Sequence, residues 1–263
     1  MGTHMDEQIT WAFAYALFAA EQNRVQISPL TEQDKNLTVE DAYAIQLANV
    51  KRVVSLGHTI SGKKIGLTSE GIQRQLGVSE PDYGHLFAAR ECPDGRVDTS
   101  QLIQPKIEAE LAFVLSKDLT GGNVTVDDVK SATDYVVGAF EIVDSRVVDW
   151  RIKLVDTVAD NASSGRYILG KTRLGINEVD LPAVTMKLYK NGELIQEGSG
   201  AAVLGDPCAA VAWLANRLWD YGVPLKKGEI ILSGAFSAAP VAAKGDVFSV
   251  EFSSFGNVQA EFV

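Results

Sequence analysis

Three carboxylates define the chemistry open to this chain. Two of them, Glu108 and Glu110, lie in the run Ile107-Glu108-Ala109-Glu110-Leu111-Ala112-Phe113. Such alternation reads as a β-strand, whose successive side chains point to opposite faces. Ile107, Ala109, Leu111 and Phe113 then share one face. The two glutamates share the other, with Cα atoms about 7 Å apart. On its own, the pair is explained more simply by an edge strand wetted on one side. Glu141 shifts that balance. It sits within Val136-Val137-Gly138-Ala139-Phe140-Glu141-Ile142-Val143, an apolar stretch in which an unpaired carboxylate is out of place. Three carboxylates drawn together repel one another and resist burial, and a divalent cation removes both difficulties. An all-oxygen donor set suits Mg²⁺ or Mn²⁺ and leaves octahedral positions for substrate and water. Zinc suits it less, because neither His58 nor His85 has ligand-like spacing.

Three further clusters hold polar groups of interest. Lys64 lies in Ser61-Gly62-Lys63-Lys64-Ile65-Gly66-Leu67-Thr68-Ser69, where small neighbours let backbone and ligand approach closely. A solvated lysine in a glycine-rich turn explains the same pattern. Asp82, in Glu80-Pro81-Asp82-Tyr83-Gly84, is either a turn former or an acid/base. Residues 156–165 are dense in Asp, Thr, Asn and Ser, and form either a self-satisfied loop or a cradle for a substrate carboxylate.

The elements around these residues are partly readable. Residues 6–21 and the segment after Thr38-Val39-Glu40-Asp41, a capping-box pattern, read as helices. Tyr43, Leu47, Val50 and Val54 recur at helical spacing up to Gly57. A short helix is expected between Ser69 and Gly77, and another after Thr125. Strands are expected at residues 107–115, 135–143, 184–189, 229–233, 247–252 and 258–262. Asn191-Gly192 marks a hairpin and Gly256-Asn257 a second turn. Asp206-Pro207 opens a helix that Gly222 closes. The outline is α+β: a helical part over residues 6–77, packed on a β-rich core over residues 78–263, together one functional unit. Strands and helices do not alternate regularly, which argues against a doubly wound sheet. No phosphate loop or dinucleotide fingerprint is present.

Bulk properties exclude several classes. With 263 residues the chain can bury a substantial core. A net charge of -10 argues against nucleic acid as a partner. No apolar run reaches the length of a membrane span. The two cysteines, Cys92 and Cys208, form no disulfide framework, which fits a reducing, cytoplasmic setting. Residues 1–5, with His4, look like an expression remnant. The apolar segment from Trp11 to Ala20 lacks a basic leader and reads as an amphipathic helix, not a signal peptide.

Taken in order, Gly62 to Ser69, Pro81-Asp82-Tyr83-Gly84, Ile107-Glu108-Ala109-Glu110, Glu141 to Arg146, Val158 to Ser163, Gly205-Asp206-Pro207, Ala212 to Asn216 and Ile231 to Gly234 resemble one family. It is that of the 2-hydroxypenta-2,4-dienoate (2-keto-4-pentenoate) hydratases and 4-oxalocrotonate decarboxylases, which share the C-terminal fold of fumarylacetoacetate hydrolase. The resemblance runs from about Leu37 to Val263. It implies a mixed β-roll core with flanking helices and a helical N-terminal part. It implies Glu108, Glu110 and Glu141 as Mg²⁺ or Mn²⁺ ligands, Lys64 in the active site, and homo-oligomers, with contact to the next enzyme of the pathway.

Within that family the expectation is a hydratase of meta-cleavage catabolism. It would add water to 2-hydroxypenta-2,4-dienoate or a close analogue to give a 4-hydroxy-2-oxo acid. Lys64 and Asp82 would be catalytic, and Ser163 and Ser233 would bind substrate. Asp82, Asp149-Trp150 and Asp156-Thr157-Val158 resemble hydratases. Lys106, Ser163-Ser164 and Arg166-Tyr167 resemble decarboxylases. Asp206 stands where His or Ser is expected, and Phe236 resembles hydratases of longer dicarboxylic substrates. The alternatives are a 4-oxalocrotonate decarboxylase, an acylpyruvate hydrolase and a metal-binding protein without catalysis.

Overall fold

The glutamate-bearing strand becomes the centre of a sheet. In the computed structural model, which describes residues 6–263, β4 (Pro105–Leu115) pairs with β5 (Thr133–Asp144) along its whole length. The expression-remnant reading of residues 1–5, His4 included, lies outside the described residues. β1 (Ile60–Gly66), β2 (Asp82–Phe87), β6 (Ser164–Leu169) and β9 (Ile230–Ala235) complete a six-stranded sheet, in the order β2-β1-β9-β4-β5-β6. It is mixed, because β1 and β9 run parallel. A second sheet has the order β3-β11-β10-β7-β8, built from β3 (Arg96–Val97), β7 (Thr185–Lys190), β8 (Glu193–Ser199), β10 (Val247–Phe252) and β11 (Gly256–Phe262).

Helices follow their sequence signals. Asp6 caps α1 (Glu7–Asn23) by accepting from the Gln8 N–H, and Arg24 ends it in the left-handed region at φ 54°. Thr38 and Asp41 form a reciprocal capping box on α3 (Val39–Ser55), beyond the single turn α2 (Leu30–Gln33). The short α4 (Glu70–Leu76), α5 (Val126–Ala132) and α6 (Leu154–Ala159) lie between strands. Asp206 caps α7 (Pro207–Trp219) through the Cys208 N–H at 2.8 Å. No helix among the described residues is long and apolar enough to cross a membrane.

Alternation on β4 sorts its side chains as expected. Ile107, Ala109, Leu111 and Phe113 enter the main core with Phe140, Ile142, Phe248 and Phe252. Gly138 permits that packing: a Cβ there would lie 2.7 Å from the Phe252 ring. The other face carries a separate apolar cluster of Leu86, Ala112, Val137, Ala139, Tyr167 and Leu232. The sheet curls around it. The Cys92 N–H donates to the Tyr167 carbonyl at 2.8 Å, and the Tyr167 hydroxyl meets Ser61 Oγ at 3.0 Å. The segment after β2 thus meets β6, and the sheet rolls up with this face inside.

Two expectations need correction. The span 6–77 is not helical throughout, since β1 lies within it and joins the central sheet. Its glycines read as a turn but serve a strand squeezed between neighbours. A Cβ on Gly62 would lie 1.8 Å from the Ile230 carbonyl oxygen. The last turn falls at residues 253–255, and Gly256 already pairs with Phe252. The Asn191-Gly192 hairpin is as read, with φ of 53° and 86°.

His85 shows how tightly α3 is tied to this sheet. Gln46, buried on α3, donates to the Tyr83 and Val158 carbonyls, so its Oε1 is left to accept from His85 Nδ1 at 3.1 Å. Burial, helped by Lys63, pushes the imidazole down to about 3. The unfolded chain therefore binds a proton that the folded one refuses, between the ordinary 6.5 and about 3. Stability from this residue is complete above 6.5 and is lost as pH falls towards 3, by up to about 1.4 kcal/mol per pH unit. His85→Asn keeps a donor for Gln46. It should unfold in urea with a visibly shallower loss between about pH 6.5 and about pH 4 than wild type. Equal slopes would refute the assignment.

Candidate metal and active site

Register brings the three glutamates together. On the inner face of the rolled sheet Glu108 stands directly opposite Glu141, and Glu110 is opposite Ala139. Directly opposed residues hold their Cβ atoms about 5 Å apart. The three side chains can offer carboxylate oxygens that all lie within 4.8 Å of one another. Glu110 and Glu141 are fully buried. The Gly234 N–H donates to Glu110 Oε2 at 2.9 Å. That amide is turned inward by an irregularity between β4 and β9, where Gly234 has φ 117°. Glu110 Oε1 and both Glu141 oxygens have no hydrogen-bond partner among the described residues.

Electrostatics makes this arrangement costly without a counter-ion. Burial, then the Glu141 and Glu108 charges, drives Glu110 well above the ordinary carboxylate range. Burial raises Glu141 to about 8 despite the opposing pull of Lys64. Glu108 is raised as well, chiefly by burial. Hard oxygen donors, unsatisfied and mutually repelling, fit a Mg²⁺- or Mn²⁺-type cation.

Lys64 and Asp82 border the same space. On β1, Lys64 pairs with Leu232 of β9 and Gly84 of β2. Its buried Nζ donates to the Ala162 carbonyl at 2.9 Å and lies 3.4 Å from Glu141 Oε1. Burial pulls the ammonium down, but Glu141, Asp82, Glu108 and Glu110 outweigh it and hold it charged. Asp82 pairs with Gly66 at the start of β2. Its carboxyl is raised by burial, against lowering by Lys64, the Gly66 backbone and the Thr157 hydroxyl. Gly66 makes the room for it: a Cβ there would lie 2.3 Å from Asp82 Oδ1 and 3.3 Å from Lys64 Nζ. Gly66→Ala should therefore displace the Asp82 carboxyl, cost about 1–3 kcal/mol in urea denaturation, and lower turnover further than that loss of folded protein explains. Full activity would mean that the carboxyl position is unimportant.

The two serines differ. Ser163 is buried, and its hydroxyl is engaged by protein, donating to Asp160 Oδ2 at 3.3 Å and meeting Thr157 Oγ1 at 3.5 Å. Ser233 is buried beside Gly234, and its Oγ has no partner among the described residues. Lys106 extends the inner face towards the rim, over the Trp150 ring at 4.3 Å. Sequence reading missed the Thr157 hydroxyl beside Asp82, and two backbone groups, the Ala162 carbonyl and the Gly234 amide, whose directions are set by backbone geometry. It also left open a substrate cradle at Asp160 and Asn161. The Asp160 carboxylate instead takes the buried Arg146 guanidinium, and Asn161 binds the backbone of His85.

Residues 92–263 match the fumarylacetoacetate (FAA) hydrolase C-terminal family model. The chain is 48% identical to a 2-keto-4-pentenoate hydratase of Paraburkholderia xenovorans (strain LB400), over 95% of this chain and 93% of that protein. It is 43% identical to a 2-hydroxyhexa-2,4-dienoate hydratase of Comamonas testosteroni, over 98% of each. Among solved structures, the 4-oxalocrotonate decarboxylase from Pseudomonas putida G7, complexed with magnesium and adipate, superposes over 100% of both chains. The TM-score there is 0.97 and the identity 38%.

Proposed function

The chain belongs to the fumarylacetoacetate hydrolase C-terminal family, and from that membership we propose a metal-dependent hydratase of 2-hydroxypenta-2,4-dienoate or a close analogue. The product is a 4-hydroxy-2-oxo acid, formed in the meta-cleavage breakdown of aromatic compounds. One observation carries the reading: three clustered glutamates, two of them fully buried with unpartnered oxygens, share a space with a charged lysine and an additional carboxyl, Asp82. The hydratase names of relatives at 40–48% identity support it.

Glu108, Glu110 and Glu141 would hold Mg²⁺ or Mn²⁺, which when bound supplies Lewis acidity towards a 2-oxo acid. Lys64 offers its ammonium to the anionic end of the substrate. Asp82, holding a proton, gives it to C5 as the C2 hydroxyl loses its own, which leaves the 2-oxo-3-enoate. As carboxylate, Asp82 then takes a proton from the water whose oxygen bonds to C4, and C3 takes up a proton in place of the one the C2 hydroxyl released, so that Asp82 ends the cycle protonated as it began. Ser233 orients substrate with its free hydroxyl, and Ser163 contributes through the loop it anchors. The apolar inner cluster keeps bulk water from the reacting carbons. Homo-oligomers, contact with the next pathway enzyme and a cytoplasmic location belong to the same reading.

The decarboxylase reading is kept alive by the likeness to the adipate-bound enzyme and by Lys106 at the rim. A hydrolase reading gets no base from His85, whose ring is spent on Gln46. The test is a panel of C5 to C7 2-hydroxydienoates with Mg²⁺ and Mn²⁺, following ultraviolet loss and CO₂ together. A 4-hydroxy-2-oxo product without CO₂ is expected. Stoichiometric CO₂ from a six-carbon diacid, with no hydration, would replace the hydratase with the decarboxylase.

A further inference from the structure

Asn161, Ala162 and Ser163 hold consecutive φ values of 55°, 49° and 52°. None is glycine; asparagine tolerates this region, but Ala162 and Ser163 each cost about 1–2 kcal/mol there. The run persists only because its surroundings hold it. Asn161 Nδ2 donates to the His85 carbonyl at 3.0 Å, and Asn161 Oδ1 accepts from the His85 N–H at 2.8 Å. One side-chain amide thus satisfies both backbone groups of one residue, as a neighbouring strand would. Gly84 admits the contact, since a Cβ there would lie 2.3 Å from the Asn161 carbonyl oxygen. On the other side, Arg146 donates to the Asp160 and Ser164 carbonyls that bracket the run.

The strained run has one clear consequence. It aims the Ala162 carbonyl at Lys64 Nζ, 2.9 Å away. An ammonium has three N–H donors. The Ala162 carbonyl takes one and Glu141, at 3.4 Å, faces another. The third is left with a defined direction. Without the carbonyl, the lysine would be free to settle among Glu141, Asp82, Glu108 and Glu110, all of which pull on its charge.

We propose that Asn161 is a positioning residue: by clamping residues 161–163 to His85 it fixes the Lys64 ammonium for an anionic 2-oxo acid. The role rests on Lys64 serving the proposed site, but not on which reaction follows. Oxalate, an unreactive dianion shaped like the head of a 2-oxo acid, separates the two. Its affinity for the Mg²⁺-loaded protein is measured by calorimetry in wild type, Asn161→Gly, Lys64→Met and the double variant. Glycine accepts the left-handed φ without strain, so Asn161→Gly removes the clamp and not the fold.

Asn161→Gly should bind oxalate about tenfold more weakly, as for one misdirected hydrogen bond, with Mg²⁺ affinity changed by less than about threefold. In the Lys64→Met background the same change should cost nothing further, because the residue acts through the lysine. Asn161→Asp, which keeps the acceptor for the His85 N–H but loses the donor, provides a second folded variant and should fall between. Wild-type oxalate affinity in Asn161→Gly, additive losses in the double variant, or Mg²⁺ affinity collapsing in parallel would each overturn the proposal. Tight, Asn161-dependent oxalate binding without dienoate turnover would instead overturn the hydratase reading alone.

Discussion

Glu110→Gln is expected to abolish metal-dependent turnover while leaving the metal-free protein at least as stable as wild type. The side chains are nearly isosteric, and a glutamine Oε1 can still accept the Gly234 N–H now held at 2.9 Å. What changes is the charge. Substituting partners of metal ligands typically costs 10–100-fold, so losing a ligand itself should lower turnover by at least about a hundredfold. Stability should move the other way. Burial, with Glu141 and Glu108 nearby, raises Glu110 well above 4.5, and Glu141 is raised from 4.5 to about 8. The folded protein therefore retains protons that the unfolded chain has released, and metal-free stability falls as pH rises from 4.5 towards 8. A cation that binds only the folded state reverses that fall. Thermal midpoints in chelator and in Mg²⁺, at about pH 6 and about pH 8, read both effects. Wild type should gain most from Mg²⁺ at the higher pH, and Glu110→Gln should gain nothing. A variant that still responds to Mg²⁺ would remove this carboxylate from the site.

The glutamates could be read from sequence because a strand converts spacing into direction. Alternation through Ile107 to Phe113 put Glu108 and Glu110 on one face, and the apolar surroundings of Glu141 marked it as needing a partner. That Glu108 and Glu141 stand opposite each other was not legible, since register is settled by the whole β4–β5 ladder and no single turn connects the strands. The capping signals at Thr38 and Asp206 were legible for the opposite reason: their hydrogen bonds close within three residues. β1 escaped because Gly62 and Gly66 serve as absent side chains, one for the Ile230 carbonyl and one for Asp82, and such a need exists only once the neighbours are in place. The inward Gly234 amide and the left-handed run through Ala162 are hidden likewise, because neither conformation is preferred by the residues that adopt it, apart from glycine. Ser163 was read as binding substrate, but the tight turn after α6 brings its hydroxyl back onto Asp160 and Thr157, three and six residues earlier.

The second large effect is expected at Asp82. Asp82→Asn preserves shape and volume but cannot give or take a proton, and turnover should fall by about 10²–10⁴-fold, the range for a positioned acid/base. Mg²⁺ stabilisation should remain, because Asp82 stands outside the three-glutamate cluster. The side chain is placed for proton transfer in a way that a structural aspartate is not. It is buried, its Oδ1 has no hydrogen-bond partner among the described residues, and Gly66 leaves open the space beside it. Burial raises its carboxyl while Lys64 restrains the rise, so one group can serve as acid in ketonisation and as base towards water. Deuterium oxide makes the first role visible without relying on the overall rate. Wild type should place deuterium at C5 of the product, and Asp82→Asn should lose that labelled ketonisation together with hydration. If the variant still labels C5 at the wild-type rate and fails only in adding water, the proton for C5 comes from elsewhere and Asp82 acts on water alone. If both steps survive, the carboxyl is structural, and the resemblance of Pro81-Asp82-Tyr83-Gly84 to the hydratases no longer favours hydration over decarboxylation.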